Sequence, residues 1–426
     1  MSNSKNVSTI IKIFLSIEIF LIILSPKGIK GLTGYEGTYP NPQFLFMLFI
    51  LPILLYAKAF DFSRIKNYHA ILLLILLIVI SYFLSSLITI NTTSVEIANP
   101  LKESIRQSFN YLLVFLPFLF LKKNYLVFSL NILVILGVFE IVFFIYGILG
   151  FFHIIPIIAG LNEVASTQIN AQSWIIFGFI PKWGGTFEET QILSTFFLIC
   201  FIGVDLIETI KGKNKFFKVT KFLFAIFIIY CFSKATLPAF LFYLIFKKIN
   251  SKNFSKYAVL APLIILIIFI YPLLNLKNES SQLEDLEQLG LSYTSFGERL
   301  FHIKNSIDFM SENIVKFLWG LGPRVYGTMI SLKYPGAFNS DTNCISVFTV
   351  LADTGLLGFI LFLLFLFAIF KKIKSLKIKI AYLSILIACL PQISWGVGII
   401  IMSMAMLVNY DLTQKEEKAT LIHEKN

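Results

Sequence analysis

Charge is what this chain of 426 residues has least of: Asp, Glu, Lys and Arg together make up 14% of it, against about 25% in soluble globular domains. Carboxylates are the scarcer sign, 24 against 36 Lys and Arg, for a net charge of +12. Cysteine and histidine number four each. Cys200, Cys231, Cys344 and Cys389 are scattered, three of them inside apolar runs. They have the spacing of neither a metal site nor a disulfide framework, and read as small buried hydrophobes. There is no P-loop, HExxH, GxSxG or DxD pair. Transport driven by ATP hydrolysis, metalloproteolysis and metal-dependent transfer from sugar nucleotides therefore lack support. Charges at mid-span are few, which weakens an ion-coupled transporter or a flippase with a cationic central cavity.

What fills the chain instead is apolar: 57% of residues are hydrophobic, and the mean hydropathy is +0.81. Several runs of roughly 15–24 residues are long enough to cross a bilayer as helices. The first, 10–24, has no small-residue cleavage site behind it and reads as a retained span. The others are 44–57, 70–89, 108–121, 126–149, 191–210, 222–233, 235–246, 257–271, 347–370, 378–393 and 395–408. The fold class expected is an all-α polytopic membrane protein of about twelve spans. Region 222–246 holds two short spans or one long one, and the last hairpin turns around Ser394-Trp395-Gly396.

Lysines divide the loops. Lys58, Arg64 and Lys66, then Lys122 and Lys123, Lys211 to Lys221, Lys247 to Lys256, and Lys371 to Lys379 alternate along the chain with cation-poor loops. Twelve spans bring all the rich loops, and both termini, to one side, which the positive-inside rule makes the cytoplasm. The positive charge thus reads as attraction to anionic headgroups, not to nucleic acid. The organisation expected is a bundle over 1–271, an external loop over 272–346, C-terminal helices over 347–410 and a cytoplasmic tail over 411–426.

The cation-poor side carries the residues with chemical options. The long loop opens with NESSQLEDLEQLG, a solvated linker by composition. Then Phe296, Leu300, Ile303, Ile307 and Met310 recur at the spacing of an amphipathic helix. Arg299, His302 and Ser306 fall beside that stripe, either facing an anionic headgroup or forming an ordinary polar edge. Trp319-Gly320-Leu321-Gly322-Pro323 stops the helix, and Arg324 follows as a second cation whose planar fork suits phosphate. Asp341 and Asn343 precede the span at 347, and Asp353 lies within it, either functional or an aid to helix entry. Glu188 and Glu189 open the span at 191, where they complement a helix dipole or serve as a general base. Lys234, between two apolar runs, snorkels or binds an anion.

With these pieces in view, the sequence resembles the O-antigen polymerase and O-antigen ligase group of bacterial membrane proteins. GTFEETQILSTFFL resembles the group's Gly/Phe–acidic segment, and FSKATLPAF its Ser-Arg turn, with Lys234 where arginine is usual. ERLFHIKNSIDFMSENIVKFLWGLG resembles its arginine-bearing helix, and DTNCISVFTVLADTGLLGFILFLL the segment ending in Gly-Leu-Leu-Gly. The resemblance implies a GT-C-like helical fold and an undecaprenyl-diphosphate-linked glycan as donor, with no metal or nucleotide cofactor. It implies that Arg299 and Lys234 hold the diphosphate, with Arg324 and His302 in support. Glu188 or Glu189, Asp341 and Asn343 would then lie near the acceptor hydroxyl. Ligases carry a His-Asn pair where this chain reads Ser340-Asp341-Thr342-Asn343, which favours the polymerase branch. The partners implied are a lipid-linked oligosaccharide, membrane lipids, and chain-length regulator and flippase proteins.

Overall fold

The computed structural model describes residues 2–24, 42–92, 100–151, 154, 175–176, 180–181, 190–231, 233, 235–248, 295–333, 346–389 and 398–423. These are almost entirely helical. In chain order the helices are α1 (Ser2–Ile23), α2 (Pro42–Tyr56), α3 (Ile65–Thr92), α4 (Pro100–Phe109), α5 (Leu116–Phe120), α6 (Lys123–Phe151), α7 (Thr190–Lys211) and α8 (Lys215–Tyr230). They continue with α9 (Thr236–Phe246), α10 (Ser295–Ser311), α11 (Ile314–Trp319), α12 (Val325–Lys333), α13 (Ser346–Lys372), α14 (Leu376–Cys389) and α15 (Gly398–His423). One π-helical stretch, Asn110–Phe115, joins α4 to α5, and Ile175–Ile176 pairs antiparallel with Ile180–Pro181.

Among the described residues, five helices are long and apolar enough to cross a membrane: α1, α3, α6, α7 and α13; α2 and α9 are shorter and apolar. Of the α7 span, 89% is buried, and α15 is buried along most of its first half. Around them, α3, α6, α8 and α13 expose Leu73, Leu76, Phe139, Val142, Phe222 and Phe367. A ring of outward-facing Leu, Val and Phe has no use in water and suits lipid. The expected all-α membrane architecture is thus present. Tyr257 to Tyr271 and the turn at Ser394-Trp395-Gly396 lie outside the described residues.

The lysine-rich loops gather at one end of the bundle. The 57–64 segment pairs with 120–123 through Asp61 N–H to Phe120 O (2.8 Å) and Lys122 N–H to Ala59 O (3.0 Å). Buried Arg64 donates to Asn409 (2.8 Å) and Glu416 (2.6 Å) on α15, and Asn409 donates to the Phe118 and Leu121 carbonyls. Asp411 accepts the N–H groups of Lys374 and Ser375. On α7, Asp205 is 4% exposed and is held by Lys221 (3.1 Å), by Tyr243 (2.8 Å) and by the Lys247 ammonium. Lys377 reaches the Asp205 carbonyl and the Thr209 hydroxyl. A carboxylate this deep is tolerable only because several donors surround it.

Two boundaries differ from the hydropathy reading, and one open choice is resolved. The expected span at 108–121 begins at Pro100: proline suits the first helical turn, and hydropathy does not register such a start. The last helix runs on to His423, because Asn409, Asp411, Thr413 and Glu416 have partners at the lysine-rich end. Region 222–246 resolves into two helices, α8 and α9, divided between Tyr230 and Thr236.

Candidate functional site at the end opposite the lysines

The other end is organised by a break in α13. Gly355 adopts φ 66° and ψ −171° inside the helix, so the carbonyls of the preceding turn lose their regular i+4 partners. Those carbonyls are taken by the loop between α11 and α12. Leu321 N–H bonds Ala352 O (2.7 Å), and Gly322 N–H bonds Asp353 O (3.2 Å). On the other side α3 closes the junction, with Ser85 Oγ donating to Asp353 O and Thr89 Oγ to Leu321 O (2.8 Å). Backbone meets backbone at the crossing. A Cβ built on Gly320 falls 2.5 Å from both Asp353 O and Gly355 N. Gly320 itself has φ 89°, a conformation that L side chains resist.

This junction carries Arg324. Its φ is 61°, left-handed and uncommon for a residue with a side chain. Its N–H points at Asp353 Oδ1 (3.3 Å), and its Nε lies 3.4 Å from Glu103 Oε2. The Glu103 side chain is 6% exposed and also binds Arg106 and Gln107 (3.1 Å), whereas the Arg324 side chain is 44% exposed. A buried carboxylate thus steadies a guanidinium whose remaining donors reach out of the protein. From Gly355 to Lys372, the far end of α13, is roughly 25 Å at helical rise, close to a hydrocarbon thickness.

Helix α10, which contains Arg299, packs on α11 and α13. The expected continuous helix up to Trp319 is divided: α10 stops at Ser311, and Asn313 caps α11 by accepting Val315 N–H (2.8 Å). Of the expected stripe, Ile303 and Met310 are buried, but the buried face is wider than the stripe and Ile307 lies off it. Phe301, His302, Asn305, Ser306 and Phe309 are buried, while Ile307 is 36% exposed. The polar members are accommodated locally. Ser306 donates to His302 O (2.8 Å), Asn305 to Phe301 O (3.0 Å), and Tyr326 Oη lies 2.9 Å from His302 Nδ1. His302 therefore faces the protein interior rather than a headgroup. Burial lowers its pKa to about 4.

That burial has a measurable consequence. An unfolded imidazole takes up a proton below about 6.5, and this one does so only near 4. The folded state accordingly loses stability as pH falls through that window, by about 2 kcal/mol between pH 7 and pH 5. The His302→Gln variant should show a shallower decline of unfolding temperature over this range. Equal slopes for variant and parent would refute the assignment.

Of the sequence-derived site residues, Arg324 and His302 fall on neighbouring elements, linked through Tyr326. Arg299 lies on α10, with its side chain outside the described residues, and Glu188, Glu189, Lys234, Asp341 and Asn343 lie outside them altogether. The helices that flank the first three of those five do meet. Thr195 and Thr236, near the starts of α7 and α9, are 3.1 Å apart through their hydroxyls. Glu103 and Arg106 were not among the candidates. Pro100 and an i, i+3 acid–base pair were their signal, hidden by placement in a presumed loop. Cys200, Cys231 and Cys389 are buried, as expected of small hydrophobes, and Cys344 lies outside the described residues. No protein-family model matches this chain, and no curated protein matches it.

Proposed function

We propose that this protein is a surface-polysaccharide polymerase of the O-antigen polymerase kind. In this reading it is a twelve-span, GT-C-like protein of a bacterial cytoplasmic membrane, with the lysine-rich end and both termini in the cytoplasm. The 272–346 loop and Arg324 face the outside. The observation that carries the reading is the half-exposed Arg324 side chain, fixed by backbone geometry at the end of the bundle remote from the lysine-rich loops.

The donor is a growing glycan on undecaprenyl diphosphate, and the acceptor a hydroxyl of a new lipid-linked repeat unit. The acceptor oxygen forms a bond to the anomeric carbon as the bond from that carbon to the diphosphate breaks. The hydroxyl proton passes to a carboxylate, for which Glu188, Glu189 and Asp341 are the candidates. Undecaprenyl diphosphate leaves with both electrons of the broken bond. Its developing charge is what Arg324, together with Arg299 and Lys234, would stabilise, without a cofactor. Fixed donors aimed at developing charge lower a barrier because they need not reorganise during the reaction. Asn343 would help to position the acceptor. A chain-length regulator and a flippase would work beside it.

The test is the size ladder of surface glycan in a strain deleted for the gene, with and without the gene restored. Collapse to a single repeat unit is expected. Long chains retained on carrier lipid would instead identify a ligase, and absence of lipid-linked repeats at the outer face a flippase; either overturns the polymerase reading.

A further inference from the structure

At the lysine-rich end, a small cavity of about 70 Å³ opens where the start of α3 and the end of α13 meet the middle of α15. Lys372, Lys374 and Lys415 line it, with Asn67 and Asp411. Lys372 is within electrostatic reach of both Lys374 and Lys415. The one carboxylate in the lining, Asp411, accepts the N–H groups of Lys374 (2.8 Å) and Ser375 (2.9 Å), neutral donors that leave its single negative charge in place. Among the described residues none of the three ammonium groups is in an ion pair. Lys372 is instead held over the face of Tyr68, 5.6 Å from the ring centroid.

Three lysines against one aspartate give the lining a net positive charge, which an anion in the cavity would offset. The cavity is far below the several hundred Å³ of a site for a sugar or nucleotide, and suits one compact oxyanion. It lies where the apolar run of α13 ends at Lys371 and Lys372, which is headgroup level for a spanning helix. We propose that this pocket binds a phosphate group, supplied by an anionic lipid headgroup, and so fastens α3, α13 and α15 together at the membrane surface. Basic pockets between spanning helices are suited to such headgroups. The proposal stands independently of the glycosyl-transfer reading.

The purified protein in a neutral detergent, titrated separately with short-chain phosphatidic acid, short-chain phosphatidylcholine and inorganic phosphate, gives the test. The readout is unfolding temperature, which rises with any ligand that binds only the folded state. Phosphatidic acid should raise it and phosphatidylcholine should not. Lys372→Gln/Lys374→Gln/Lys415→Gln should weaken the apparent affinity on the order of a hundredfold. An equal response to inorganic phosphate would keep the phosphate site and overturn the lipid as its source. No shift in the parent protein with any probe would overturn the proposal, as would an undiminished shift in the variant. Should the triple variant fail to fold, Lys415→Gln alone is expected to weaken binding about fivefold; an undiminished shift there would also overturn it.

Discussion

Replacing Arg324 with glycine is expected to shorten surface glycan to single repeats, on the order of a hundredfold loss of transfer, while leaving the protein at least as stable as its parent. The two halves of that expectation have separate origins. Stability follows from the backbone. A side chain at φ 61° costs about 1 kcal/mol, which glycine relieves. The partly exposed contact with Glu103 was worth little, and Glu103 keeps Arg106 and Gln107 as donors. In the proposed mechanism activity rests on the guanidinium, which would meet charge forming on a departing diphosphate. A residue held in a costly conformation whose removal is harmless to folding and ruinous to turnover is there for its chemistry. Arg324→Lys should rescue only in part, since an ammonium offers a point charge without the fork. Full-length glycan with Arg324→Gly at normal protein levels would remove Arg324 from the mechanism.

The second large effect concerns assembly. Asp205→Ala should lower stability by about 3 kcal/mol, the lower end of the range for opening a buried ion pair. The lower end applies because Lys221 and Lys247 are 21% and 26% exposed and still reach water. Lys221 keeps Glu208 (2.6 Å), so the damage comes mainly from Lys247, left without its carboxylate, and removing that ammonium should repair part of it. Asp205→Ala/Lys247→Met is therefore expected to unfold at a higher temperature than Asp205→Ala alone. If Asp205→Ala matches the parent protein in detergent, that carboxylate does not hold α7, α8 and α9 together.

Much of this architecture was legible because lipid imposes one strong rule, that apolar runs become helices and lysines collect at one end. The gathering of the 57–64, 120–123 and 373–376 segments follows from that alternation. Period and hydropathy are blind to main-chain detail, however. Nothing in the pattern of ADTGLLG announces that Gly355 interrupts a helix or that its freed carbonyls receive the 320–322 loop. The same blindness placed Glu103 in a loop. On α10 the apolar stripe placed Ile303 and Met310 inside correctly but gave only part of the buried face, because a histidine, an asparagine and a serine went inside with local hydrogen bonds while Ile307 stayed partly out. Arg324 was visible as a cation, but its left-handed backbone and its carboxylate partners were not.

The way the 320–322 loop is held says something about which substitutions this end of the protein can absorb over evolutionary time. Arg324 is located mainly by N–H groups, carbonyls and the absence of Cβ atoms, none of which depends on the identity of surrounding side chains. Neighbours such as Leu321 and Val325 are free to drift among apolar residues without moving the guanidinium. Gly320 and Gly355 are not, since either would have to push a peptide unit aside. A family built on this plan could diverge almost beyond recognition in sequence and still present its arginine at the same point in space.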